Sequence, residues 1–155
     1  MKKISLLLIA FSLLFASCGK DPEKEWDRFY GFTQADVIGH YEANPDESLY
    51  EPLPNNLVTV FSNATMDIMA SGSASVALHI IIPDQINKSF TGSISSSDEG
   101  YSDLVLYNYG EDIMMTVYKN SKGQVRLHGR VKHYAPENNP YISDQNWGFD
   151  VIKQE

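Results

Sequence analysis

The chain has 155 residues, 43% of them hydrophobic, with 12 basic against 20 acidic side chains and a formal charge of −8. That length suits one domain whose core holds itself together without staples. The acidity excludes nucleic acid as a partner, because binding it depends on basic side chains that neutralise phosphates.

At the N-terminus, Lys2 and Lys3 precede an apolar run from Ile4 to Phe15, and small Ala16 and Ser17 lead into Cys18, the only cysteine. The run is too short to span a bilayer, which takes about 20 apolar residues, and it reads as a removable export signal. The segment from Leu13 to Cys18 resembles the lipobox of bacterial lipoproteins. An ordinary secretory signal with an incidental cysteine is the alternative, disfavoured because Cys18 sits at the small-residue cleavage site. The resemblance implies cleavage after Ser17, acylation of Cys18, and a protein of the cell envelope tethered by lipid to the outer membrane. Gly19 lacks the acidic character that retains some similar lipoproteins at the inner membrane. Periplasmic and surface faces both stay open. Acylation would consume the sole thiol, leaving no disulfide, thiolate nucleophile or cysteine metal ligand. Cleavage would also remove two lysines, taking the formal charge from −8 to −10. Such a body has no general attraction to an anionic surface, so the acyl chains would do the holding.

Residues 18–33 read as a tether followed by a short helix. Gly19 to Lys24 is charged and contains proline. Asp21 suits a helix cap, Pro22 the first helical position and Gly31 the stop, with Trp26, Phe29 and Tyr30 at helical spacing, so a helix is expected over 22–30.

Residues 34–155 change to short alternating stretches separated by turn residues, the pattern of strands joined by hairpins. Strands are expected over 36–43, 57–62, 65–71, 75–82, 88–95, 102–109, 112–119, 124–134 and 147–153. The breaks fall at Ser71-Gly72-Ser73, Asp98-Glu99-Gly100 and Asn120-Ser121-Lys122-Gly123. In 124–134, Val125, Leu127, Gly129 and Val131 share one face, while Arg126, His128, Arg130 and Lys132 share the other. Segment 75–82 is apolar on both faces and reads as central. Gly129, in an otherwise good strand, signals a bend or a close backbone approach. The fold class is therefore all-β, an antiparallel up-and-down meander of eight or nine strands. A closed barrel is favoured because closure eliminates edges, and a two-sheet sandwich is the alternative.

Within the first strand, Val37-Ile38-Gly39-His40-Tyr41 resembles the Gly-x-aromatic opening of calycin or lipocalin-like barrels, a family with many small bacterial lipoproteins. The resemblance implies an up-and-down barrel over residues 34–153 with room for an interior cavity. In that family the aromatic is Trp and a late Arg packs over it. Tyr41 stands in the first place here, and Arg126 or Arg130 is the candidate for the second.

The sequence contains no Gly-x-Ser-x-Gly elbow, phosphate-cradling Gly-x4-Gly-Lys-Ser/Thr loop or His-Glu-x2-His helix, and no enzyme or cofactor is expected. His128 and His133, five apart on one strand, fall on opposite faces and cannot share a zinc, and lone His40 and His79 read as structural. Asp144, Asn146, Asp150 and Glu155 follow EF-hand spacing, but Phe149 stands where the sharp turn needs Gly, so no metal is expected. The carboxylates Asp46, Glu47 and Glu51, and likewise Glu111 and Asp112 after Gly110, read as solvated turns rather than a catalytic pair.

Aromatics are the remaining resource for recognition. Tyr41, Tyr107, Tyr118, Tyr134 and Trp147 are the candidate ligand-binding residues, and 134–146 is the candidate functional loop. Two functions follow. The first is non-enzymatic binding of a small apolar ligand or glycan in a barrel cavity lined by residues such as Met66, Ile68, Met115 and Tyr118. The second is an accessory subunit with a filled barrel, contacting an envelope protein or polysaccharide through an exposed aromatic patch. The first is narrowly preferred.

Overall fold

The computed structural model describes residues 26–45, 58–94, 103–136 and 144–155. Along the chain run β1 (Trp26–Arg28), α1 (Gln34–Val37), β2 (Gly39–Ala43), β3 (Val60–Phe61), β4 (Thr65–Ala70), β5 (Ser75–Ile82), β6 (Ile86–Ser93), β7 (Asp103–Asn108), β8 (Glu111–Asn120), β9 (Val125–His133) and β10 (Gln145–Lys153). Each of the nine expected strands forms. From β2 and β4 through β10, sequence neighbours pair antiparallel, and β10 returns to β2 with Val151↔Ala43 and Lys153↔Tyr41. That last pairing closes an eight-stranded barrel and decides against the sandwich.

Two short strands complete edges that the barrel strands leave bare. β7 covers β8 only from Glu111 to Thr116, and β1 pairs with the remainder from Tyr118 to Asn120. β3 lies parallel to β10 at Gly148 and Phe149, beyond the reach of β2. This corrects the helix expected over 22–30. Trp26–Arg28 is a strand, and residues 22–25 lie outside the described part. The aromatic spacing suits a helix, but the backbone groups left open on β8 need partners, and a three-residue strand supplies them.

The helical turn occurs later, at the start of the first expected strand. The Asp36 carboxylate accepts hydrogen bonds from the Thr33 backbone N–H at 2.8 Å and the Thr33 hydroxyl at 2.7 Å, fixing the entry to α1. α1 crosses the end of the barrel where β2 begins and buries Val37. We call this the closed end. It also carries the β4–β5 and β8–β9 turns, with Gly123 of the latter at φ +84°. The β5–β6 and β7–β8 turns mark the open end.

Inward residues alternate along every strand as the period of two demands. Ile80 and Ile82 of β5, Leu106 of β7, Ile113 and Val117 of β8, Leu127 and Val131 of β9, and Phe149 and Val151 of β10 are fully buried, with no surface open to water. A void large enough to hold water would leave open surface on its lining, so these side chains pack against one another and the barrel centre, among the described residues, is filled. Met66, Ile68 and Met115, expected to line a cavity, belong to this packed core, and Tyr118 points to the outer wall.

Gly129 makes a close approach, as its place in the sequence suggests. A Cβ there would sit 2.1 Å from the Met114 carbonyl oxygen and 2.6 Å from Met115 Cα, so β8 and β9 could not keep their spacing.

Candidate functional site

The outer wall near the open end gathers the exposed aromatics. On β7 and β8, Tyr107 lies opposite Asp112, and Val105 opposite Met114. Tyr134 follows β9 and donates its hydroxyl hydrogen to Asp112 Oδ2. The Lys132 ammonium stands 4.3 Å from the centre of the Tyr134 ring and 2.9 Å from the Asp144 carboxylate. Tyr109, at the tip of the two-residue β7–β8 turn, projects wholly into solvent. Tyr107, Tyr109 and Tyr134 are 64%, 101% and 44% exposed, with Met114 beside them also exposed. The hydrogen bond to Asp112, then partial burial and neighbouring acidic groups, push the Tyr134 hydroxyl up to about 12, so it keeps its proton and acts as a donor.

Glu111 and Asp112 correct the solvated reading of that turn, because they are only 6% and 8% exposed. Adjacent residues of one strand, they face opposite ways. Asp112 serves the outer patch, whereas Glu111 turns into the barrel mouth and accepts hydrogen bonds from Lys88 Nζ at 2.7 Å and His133 Nδ1 at 2.9 Å. Burial alone would raise the Glu111 carboxyl, but Lys88 and His133 outweigh it and hold the group below its ordinary value.

His128, as alternation requires, lies on the other face from His133. There the Asp150 carboxylate, buried on the outer wall, accepts from Arg126 Nε at 2.8 Å and Nη2 at 2.5 Å. The Asn44 N–H donates to the Asp150 carbonyl at 2.9 Å. Arg126 also stacks 5.2 Å from the Tyr118 ring and 6.0 Å from the Trp26 ring. Burial pushes the Asp150 carboxyl up, and Arg126 and His128 more than reverse it, leaving it low. The acids with EF-hand spacing are thus divided: Asp150 holds Arg126, and Asp144 holds Lys132.

The five candidate aromatics separate into four places. Tyr41 is sealed at the closed end, its hydroxyl donating to the Val37 carbonyl at 2.7 Å. The residue paired across from it on β10 is Lys153, while Arg126 and Arg130 project from the outer face of β9, two strands from β2, so neither arginine packs over the inward-facing Tyr41. Tyr118 lies on the outer wall against Arg126. Trp147 faces inward and packs on the core. Only Tyr107 and Tyr134 come together, and Tyr109 joins them. Its signal in the sequence is position, an aromatic before Gly110 at the tip of a tight hairpin. Cys18, Asp46, Glu47, Glu51, Tyr101, Tyr141 and residues 137–143 of the 134–146 loop lie outside the described residues.

No family model, curated protein or solved structure matches the chain.

Proposed function

We propose that this chain is a lipid-anchored outer-membrane protein whose filled barrel is a rigid, non-enzymatic mount presenting a tyrosine patch to an envelope glycan. The carrying observation is the gathering of Tyr107, Tyr109 and Tyr134 at one end. These rings stand exposed beside the polar groups Asp112, Lys132 and Asp144. Tyrosine rings stack on sugar faces, and flanking carboxylates and amines hydrogen-bond sugar hydroxyls. The packed interior moves this reading ahead of a small ligand held inside a calycin-like barrel. The lipobox at Leu13–Cys18 supports the anchor, and the opening at Gly39–Tyr41 supports the calycin likeness.

A photo-crosslinking amino acid placed at Tyr109 in the native host tests the partner. A protease-resistant, carbohydrate-staining adduct that disappears with Tyr107→Ala and Tyr134→Ala supports the proposal. An adduct that protease degrades to a second polypeptide overturns it in favour of a protein partner.

A further inference from the structure

A chain with 20 acidic side chains leaves few basic ones unmatched. Of its 12 lysines and arginines, eight fall among the described residues, and seven of these have a partner, as Lys88 has in Glu111, Arg126 in Asp150 and Lys132 in Asp144. Arg130 is the exception. Among the described residues its guanidinium makes no hydrogen bond, ion pair or ring contact.

Arg130 is half-buried on the outer wall of β9, next to the tyrosine patch. One cross-strand row there runs Tyr107, Asp112, Lys132 and Asn146 from β7 to β10, and the adjoining row runs Val105, Met114, Arg130 and Gly148. Beyond Gly148 the chain entering β3 covers the wall, since a Cβ on Gly148 would lie 3.0 Å from Val58 Cγ1 and 3.1 Å from Val60 Cγ2. Met114, across from Arg130 on β8, is 41% exposed. The arginine therefore has an apolar shoulder toward β10 and open wall toward the rings.

Unmet hydrogen-bonding capacity gathers around it. Among the described residues, the buried side-chain polar atoms without a hydrogen bond are Asn146 Oδ1 and the two ring nitrogens of His128. Asn146 sits diagonally across from Arg130 on β10, a spacing of about 7–8 Å, close enough for one sugar residue to touch both. His128 lies two residues back on the same face of β9, its side chain 6% exposed and its Nδ1 3.4 Å from the Asp150 carboxylate. Buried polar atoms nearly always find partners, and a cluster of exceptions beside a free guanidinium points to an outside molecule that supplies them.

Charge does not select that molecule by attraction at a distance. Arg126, Arg130 and Lys132 are matched on this wall by Asp112, Asp144 and Asp150, three against three, where the whole chain carries −8. An anion is not turned away here, and its selection falls to hydrogen bonds.

Resting on the tyrosine patch as the glycan's contact, we propose that the glycan is acidic, with a sugar oxyanion, carboxylate or phosphate, taking the N–H groups of Arg130 and a hydroxyl of the same sugar donating to Asn146 Oδ1. The guanidinium fork matches such an oxyanion in two parallel bonds, while the neighbouring sugars stack on Tyr107 and Tyr134.

Carbohydrate released from the Tyr109 photo-adduct in the native host is analysed for sugar acids and for phosphate, which distinguishes the two sources of the oxyanion. Arg130→Gln should lower the adduct yield about tenfold or more, the loss of a charge-assisted pair of bonds. Arg130→Lys should recover only part, because an ammonium keeps the charge but not the fork. Both variants should melt at the temperature of the natural protein, since Arg130 has no protein partner to lose. An adduct of neutral sugars alone, a yield indifferent to Arg130→Gln, or a loss of yield matched by a fall in melting temperature overturns the inference. A neutral adduct that still requires Tyr107 and Tyr134 leaves the patch standing without the acidic sugar, whereas the absence of any carbohydrate adduct removes both.

Discussion

Single residues with one-sided surroundings give the sharpest tests. Gly129 has the β8 backbone where a side chain would begin, and backbone cannot rotate away as a side-chain tip can. Gly129→Ala should destabilise the fold by about 3 kcal/mol in a denaturant titration. Gly72→Ala, with only the Ser75 side chain at 3.6 Å, should stay within about 0.5 kcal/mol. The first effect was legible in outline, because a glycine interrupts an otherwise regular alternation. The Arg126–Asp150 pair was not legible. Alternation assigns Arg126 and His128 to the face away from the core, and only the structure shows that face to be covered. Asp150→Asn removes the bidentate partner of a buried guanidinium and should cost about 3 kcal/mol. The pH dependence has a definite sign. Asp150 and Glu111 both titrate below their ordinary values in the fold. Their stabilisation is complete above about pH 5, where the unfolded carboxylates are also ionised. It is lost as pH falls from there through the lowered folded values. Thermal melts between neutral and strongly acid pH should show the decline, and Asp150→Asn should start lower and decline less.

At the scale of elements, backbone pairing is unequal around the barrel. β9 is paired on both sides for nearly its whole length, from Lys119↔Val125 to Glu111↔His133 on β8 and from Ile152↔Arg126 to Gln145↔His133 on β10. β6 and β7 meet, among the described residues, in the single registered pair Thr91↔Tyr107. Opening free energy tracks hydrogen bonding and packing, so β9 amides should exchange slowest and those of β7 facing β6 markedly faster in hydrogen-exchange mass spectrometry. Uniform protection around the barrel would contradict this reading. The strands themselves were visible in sequence because a period of two is written directly by burial on one face, and hairpin residues mark their ends. The two errors, a helix expected over 22–30 and a strand begun at 36, share one cause. Trp26–Arg28 and Gln34–Val37 are each a single short step of chain, too brief for any period to show. Each takes its conformation from a distant partner, β8 for the first and the barrel end for the second.

For the whole molecule, the filled centre separates a mount from a container. Met115 is sealed inside, opposite Gly129 on β9 and Leu104 on β7. If the natural core is complete, the protein has no interior site to offer, and an apolar probe such as benzene should leave its melting temperature unchanged. Met115→Ala removes most of a side chain from a place where the backbone is pinned by the β8–β9 contact, so the wall cannot collapse inward to refill it. That variant should lose about 2–5 kcal/mol. An apolar void of this kind stays dry and accepts small hydrocarbons, so the same probe should recover part of the lost stability. Calorimetry with and without benzene on both proteins makes the comparison. A natural protein that the probe stabilises would show that the barrel holds a usable cavity, restoring the interior-ligand reading and removing the main reason to place recognition on the tyrosines outside.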